Sequence, residues 1–393
     1  MTIIGGGIMG LMTAYHAAPQ AEAVTVLERS WVGDPAAASF GLTRSARNDY
    51  RDPEYARLAF EARRLWLEFQ RDSGERLLVD CGCLNLAKRT VTPDLGNTYA
   101  VQSFAVLEQL QLRREVFSAA ELSERFPQFD ADGGWLDVDA GFVDVAAVTG
   151  ALREALHIRG ARVVENIVLR GITRSGNTWS VATNAGPVES DVLVITAGLG
   201  TNEVLELVPS CSVRFPLRLD RPSQSKYFIP PARMRDLFTE AALPVFAYLD
   251  IGIYGHPLYD GKTPGVKIGF YHSPDATLVP SRIKNVEDFV AECMPGLRGA
   301  EAVDVAEASG VDGCSYDLVA DDEFILGPVP GADNVFAGAG WRGTGYKFAP
   351  WVGRVLAQLA LQQGTVYDIR RFAPVRFAGG GAAGGLRAGG AVS

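Results

Sequence analysis

Apolar positions along this chain follow two periods, and the switches between them mark its elements. Thr2-Ile3-Ile4 is a short apolar run. Leu11 to Ala18 reads as a helix with small residues on its packing face, and Ala23 to Leu27 is a second apolar run. Between Pro53 and Phe69 the apolar residues Tyr55, Leu58, Ala59, Ala62, Leu65, Trp66 and Phe69 recur with helical spacing. Leu77 to Leu86 alternates as a strand. It contains Cys81-Gly82-Cys83, whose two sulfurs a period of two would aim at one face. Val101 to Leu112 and Ala119 to Phe126 are helical, the second opened by Ser118 and Glu121 at capping-box spacing. Asp130 to Gly141 reads as turns, Asp144 to Arg159 as a helix, and Arg162 to Val164 as a strand. Val181 to Ile195 reads as two strands joined at Asn184-Ala185-Gly186-Pro187, the second being Asp191 to Ile195.

Beyond Val213 aromatics and prolines become frequent. Alternation is strand-like around Ala247 to Tyr254 and Val266 to Tyr271, and a short helix spans Asn285 to Cys293. Cys314 to Pro330 and Asn334 to Ala339 follow, then a glycine-punctuated segment, Gly340 to Lys347, and a helix from Ala349 to Leu361. From Gly379 onward almost every residue is Gly or Ala. With so little to bury, that stretch is expected to be a disordered tail.

The first 28 residues carry the clearest chemistry. Strand, glycine turn (Gly5-Gly6-Gly7-Ile8-Met9-Gly10), helix, strand and Glu28 follow in the order of a βαβ dinucleotide-binding unit. Gly5 permits the tight turn, Gly7 lets backbone approach a pyrophosphate, and Gly10 lets the helix pack closely. The amides at the helix start receive phosphate charge. Glu28 is placed to accept hydrogen bonds from a ribose diol. Only four residues precede Gly5, so the first strand is short or the start of the chain has been trimmed. The buried-type strand ending in Thr196-Ala197-Gly198 again suits close approach to a cofactor, so the dinucleotide unit resumes there.

Totals narrow the rest. At 393 residues the chain is too long for one compact core. A net charge of −9 argues against nucleic acid and acidic membrane as partners, while leaving room for a small anionic substrate. No apolar run has the length of a membrane span, and no secretory pattern is evident, so the expected compartment is the cytoplasm. Five cysteines do not look like a disulfide framework, and His16, His157, His256 and His272 lie far apart, so no metal site is expected.

Taken together, these segments resemble the D-amino-acid-oxidase-type flavoproteins. More narrowly, they are similar to the branch of monomeric sarcosine, pipecolate and N-methyltryptophan oxidases, from about Ile3 to about Pro374. The resemblance implies an α/β fold: a Rossmann-type FAD-binding domain and a substrate domain on a mixed β-sheet, with the chain crossing between them more than once. Residues 1–78, 140–212 and 314–375 fall to the first domain, 79–139 and 213–313 to the second, and 376–393 to the tail.

The resemblance also assigns roles. Cys314-Ser315-Tyr316-Asp317 matches the segment whose cysteine carries FAD covalently through its 8α carbon. In Thr43-Arg44-Ser45-Ala46-Arg47, Arg44 would lie by the flavin and Arg47 would pair with a substrate carboxylate. Lys347, in Gly343-Thr344-Gly345-Tyr346-Lys347, would contact that carboxylate too, and Lys267 would sit over the flavin and assist oxygen reduction. Tyr254 and Tyr316 would line the substrate cavity. Gly5, Gly7, Gly10, Glu28, Arg29, Thr43, Arg44, Ala197, Gly198, Cys314, Gly340, Gly343, Thr344, Gly345, Tyr346 and Lys347 would contact the cofactor. The physics agrees: fixed cations suit a carboxylate, and an ammonium stabilises charge built up during oxygen reduction. By themselves a lone cysteine is a small buried apolar group and a lone Lys or Arg a solvated charge.

The departures cluster at the substrate end. Ala38-Ser39-Phe40-Gly41 stands where the branch commonly has histidines, and Thr344 replaces another histidine. Trp341 stands where Phe is more typical, Tyr271 takes a histidine position beside His272, and Gly327 replaces an acidic residue. The resemblance therefore implies oxidation of an amine or amino acid (N-methyl, cyclic imino or aromatic), with oxygen as acceptor and a monomeric enzyme. The residues leave two alternatives open: a dehydrogenase or imine-forming tailoring enzyme for a bulky substrate, and a non-catalytic FAD-binding protein.

Overall fold

The computed structural model describes residues 1–92, 96, 98–220, 225–259, 261–271, 283–304 and 315–378. Two sheets organise them. The first has six strands in the order Ile325–Pro328, Val335–Ala339, Leu193–Ile195, Thr2–Ile4, Thr25–Leu27 and Arg162–Val164. All its neighbours are parallel except the edge pair Ile325–Pro328 and Val335–Ala339. Thr2–Ile4 is central and buried throughout, which is why it reads as an uninterrupted apolar run. The chain is thus an α/β protein of the type the resemblance implied.

Helices Ile8–Ala17, Val145–Ile158 and Ala349–Ala360 pack on this sheet, and Pro53–Ser73 packs on Ala349–Ala360. Ile8–Ala17 is buried on nearly every side. It meets Ala349–Ala360 so closely that a Cβ at Gly353 would stand 2.5 Å from the carbonyl carbon of Met12. Pro53–Ser73 begins at Asp52, whose side chain accepts from the Glu54 amide at 2.8 Å, with Pro53 in the first turn; it ends at Gly74 in the left-handed conformation. Its periodic apolar residues, Tyr55 to Phe69, are the ones buried. Each large side chain among them contributes about 1.5–3 kcal/mol of burial. Trp66 also donates Nε1–H to the Lys347 carbonyl at 2.9 Å, which ties this helix to the glycine-punctuated segment.

The second sheet has eight strands: Glu301–Asp304, Ser225–Ile229, Val266–Phe270, Ile253–His256, Val245–Tyr248, Cys83–Ala87, Gly133–Asp137 and Arg114–Ser118. It is mixed, because Val245–Tyr248 and Cys83–Ala87 run parallel and the other pairs antiparallel. A small sheet, Thr43–Ala46 with Gly141–Asp144 and Leu78–Val79, lies between the two.

Several elements differ from the sequence reading. Leu77 to Leu86 is two strands, since Gly82 (φ +79°) turns the backbone between Cys81 and Cys83. Cys83 is therefore fully buried while Cys81 packs only at the margin of the same cluster. Gly133–Asp137 is an interior strand, although Asp130 to Gly141 reads as turns. Ladders on both sides override its glycines, and a Cβ at Gly134 would lie 2.5 Å from the Asn85 carbonyl oxygen. Val181 to Ile195 holds three strands, because Gly186–Ser190 folds back on Thr178–Thr183 before Leu193–Ile195 enters the six-stranded sheet. At the far end Pro374–Phe377 still forms a helical turn, with Arg376 paired to Asp321 at 2.7 Å. The Gly/Ala stretch from Gly379 lies outside the described residues.

Candidate functional site

A cavity of about 780 Å³ runs between the two large sheets. At one end are Gly5, Gly7, Glu28 and Arg29, with Ala197 and Gly198 beside them. At the other are Lys267, Tyr254, Tyr271, Tyr316, Trp341 and Lys347. Its size is that of a ligand site.

The first end is made of backbone. Gly5 has φ +111°, and a Cβ there would stand 2.5 Å from the Thr196 carbonyl oxygen. Gly7 opens the helix Ile8–Ala17, whose first amide donates to Ser39 Oγ at 2.9 Å. The Glu28 carboxylate is oriented by two backbone amides, Gly6 at 2.6 Å and Ser30 at 2.9 Å. Gly10 faces away from the cavity. A Cβ on it would come 2.0 Å from the Gly5 carbonyl oxygen, so its part is to let the helix close on the turn.

The other end is made of side chains. Lys267, on Val266–Phe270, is buried, with Nζ 5.7 Å from the Tyr254 ring. Its register partner on the next strand is His256, which also lines the cavity. Both ring nitrogens of His256 meet hydroxyls: Nδ1 is 2.6 Å from Thr43 Oγ1 and Nε2 is 2.7 Å from Ser45 Oγ. Burial, and then Lys267, Arg44 and Lys347, hold its pKa well below the usual value, so the imidazole is neutral. It joins the strand carrying Arg44 to the strand beside Lys267.

Arg44 donates to the carbonyls of Phe40 and Ala38 and lies 5.9 Å from the centre of the Tyr346 ring. Arg47 forms an ion pair with the fully buried Asp49 and stacks over Tyr50 at 5.3 Å. Lys347 donates to Thr344 Oγ1 at 2.6 Å and to the Thr344 carbonyl at 3.2 Å. Tyr50 reaches the same hydroxyl at 2.5 Å. Burial lowers the Lys347 pKa, partly offset by Tyr50.

Tyr271 donates to the Arg342 carbonyl at 2.6 Å, and its ring lies 5.8 Å from that of Tyr316. Gly343, at φ +69°, leaves room for Tyr316, because a Cβ would fall 2.4 Å from that ring. Gly345 makes room for Trp341 in the same way. Gly340 is not in the lining. Its amide and that of Trp341 donate to Asp317 at 2.8 and 2.9 Å, so it shapes the turn. Burial raises the Asp317 pKa to about 6 against those two amides.

Of the residues expected at the site, Gly10 and Gly340 support it from behind, and Cys314 lies outside the described residues. Sequence reasoning missed His256, Asp49, Tyr50 and Asp317. Their signal was proximity alone: His256 follows Tyr254-Gly255, Asp49 and Tyr50 follow Arg47, and Asp317 follows Tyr316.

The donor set suits an FAD. A glycine turn that a Cβ would block, an oriented carboxylate one strand away, and a long cavity lined by cations at the far end match its diphosphate, ribose and isoalloxazine parts.

Comparison with known proteins agrees. Residues 1–359 match the family of FAD dependent oxidoreductases. Human peroxisomal sarcosine oxidase is 28% identical over 397 aligned positions, covering 95% of each chain. The N-methyl-L-tryptophan oxidase of Yersinia pestis (strain Pestoides F) is 25% identical, covering 96% of this chain and 99% of its own. The solved structure of NikD, an unusual amino acid oxidase essential for nikkomycin biosynthesis, superposes with a TM-score of 0.73 at 23% identity, covering 95% and 96% of the two chains. This chain therefore belongs to the FAD-dependent oxidoreductases.

Proposed function

We propose that the protein oxidises the C–N bond of an N-methyl, cyclic or aromatic amine or amino acid to an imine, with oxygen as electron acceptor. The observation that carries this reading is the single cavity joining the Glu28 end to the cluster of Lys267, Tyr254, Tyr316, Tyr271 and Trp341. An FAD held along it by the Glu28 end would supply the two-electron redox chemistry, oxidising the C–N bond and returning the electrons to oxygen as hydrogen peroxide.

The chain's residues bind, orient and hold charge. Gly5, Gly7, Ala197 and Gly198 admit the nucleotide, and Glu28 takes its ribose. Tyr254, Tyr316, Tyr271 and Trp341 enclose the apolar flank of the substrate. Arg44, Arg47, Lys267 and Lys347 line the substrate end of the cavity; Arg47 is paired with Asp49, and the field of the other three favours the uncharged, reactive form of an amine. Lys267 keeps positive charge where oxygen reduction develops negative charge. Cys314 is assigned the thioether to the flavin.

Two measurements test this. An anaerobic screen of N-methyl, cyclic and aromatic amines and amino acids should bleach the flavin with at least one of them, and aerobic turnover should then yield one peroxide per substrate. Peroxide far below that ratio makes the enzyme a dehydrogenase. After acid precipitation the pellet should stay yellow; a colourless pellet removes the thioether at Cys314.

A further inference from the structure

Two of the cations at the substrate end, Arg47 and Lys347, differ in what they still offer. Arg47 is held by Asp49, which is fully buried and follows it by two residues. Among the described residues the second oxygen of that carboxylate, Oδ2, has no hydrogen-bond partner. A further buried carboxyl, Asp137, accepts from the Asn48 amide at 2.7 Å, and Asp49 adds to the burial that raises its pKa to about 7. Arg47 is thus spoken for electrically. Its Nη1 serves Asp49 and the guanidinium also meets the Tyr99 hydroxyl, which still leaves some of its five N–H donors, but its charge is offset by a side chain of the same protein. Lys347 is turned onto Thr344 through both the hydroxyl and the carbonyl of that residue.

A free carboxylate arriving here would have to share Arg47 with Asp49 and stand beside a like charge in a low dielectric. A neutral acceptor, such as the carbonyl of an amide or ester, would take the spare N–H donors without that repulsion. Apart from the cations Arg44, Lys267 and Lys347, the walls of this end are the rings of Tyr254, Tyr271, Tyr316 and Trp341, which suit the apolar flank of a neutral acyl derivative.

We propose that Asp49 sets the substrate class: the site takes amines whose neighbouring acyl group is neutral, as an amide or ester, in preference to free amino acids. This rests on the amine-oxidation reading of the same cavity. Asp49 does not line the cavity, so it acts through Arg47 and is a positioning residue.

The test compares matched pairs on the holoenzyme: N-methylphenylalanine with its amide, and pipecolate with its amide, by anaerobic flavin reduction. The wild type should favour the amide in each pair. Asp49→Asn, which keeps the shape and removes the charge, should shift the ratio toward the acid by about 10- to 100-fold, the contribution of one charge-assisted hydrogen bond. Asp49→Ala should shift it in the same direction. A second readout needs no turnover: titration with benzoate and benzamide, followed by perturbation of flavin absorbance. Benzoate should bind more tightly to D49N than to wild type, with benzamide nearly unchanged. A wild type that prefers the acids, or a D49N ratio equal to wild type, overturns the proposal. If neither member of any pair reduces the flavin, the amine-oxidation reading fails, and the benzoate titration alone decides the role of Asp49.

Discussion

The two ends of the cavity are built on opposite principles. At the Glu28 end the recognition groups are backbone: a turn closed by Gly5 and Gly10 and amides that orient one carboxylate. At the Lys267 end they are side chains, drawn from strands and turns far apart in the chain and largely paired with one another. The backbone end has almost no freedom to vary, because a single Cβ fills it. The side-chain end can be retuned by one substitution, because its charge balance depends on which partner each cation has. This is where the protein departs from the branch it resembles.

Breaking the first end should have the largest effect. In Gly10→Ala the new Cβ would meet the Gly5 carbonyl oxygen at 2.0 Å, so the turn and helix must separate. The purified protein should lose nearly all its flavin, read as the ratio of visible to ultraviolet absorbance. Full flavin occupancy in that variant would contradict the backbone account.

The other end should respond in rate rather than assembly. Lys267→Met should slow reoxidation of the reduced enzyme by oxygen on the order of 100-fold, the scale of one lost electrostatic stabiliser. Anaerobic flavin reduction should change by much less, and stopped-flow measurement of both half-reactions separates the two. Equal losses would take the oxygen role away from Lys267.

Smaller effects should appear in stability against pH. Asp137 has its pKa raised to about 7 from an ordinary 3.8, first by burial and then by Asp49. Between those values the folded state binds the extra proton, so stability is full below about pH 4 and falls as pH rises to 7. Asp137→Asn should flatten that limb, by at most about 1.4 kcal/mol per pH unit. Urea midpoints at intervals between pH 4.5 and 7.5 would show it.

His256 works with the opposite sign. Its folded pKa lies well below the usual 6.5, so the unfolded chain binds more protons under that pH and stability drops as pH falls. His256→Gln should remove that shallower loss, and an unchanged acid limb would mean the imidazole is not the titrating group.

What the sequence determined was whatever its neighbours in the chain could enforce. Strand, glycine turn, helix, strand and Glu28 lie within 28 residues, and each has one physical job, so the nucleotide end was legible at once. The helix Pro53–Ser73 was equally plain, because its cap, its period and its closing glycine are local. Tertiary structure alone decided that the glycines of Gly133–Asp137 become an interior strand, since two ladders from elsewhere hold them. It alone brought His256 to Thr43, 213 positions away, and made the imidazole neutral among cations. It alone turned Arg47 from an open anion receptor into half of an ion pair. Conformation follows from adjacent residues, whereas the charge a group can spend depends on its burial and its partner, and both are set only when distant segments meet.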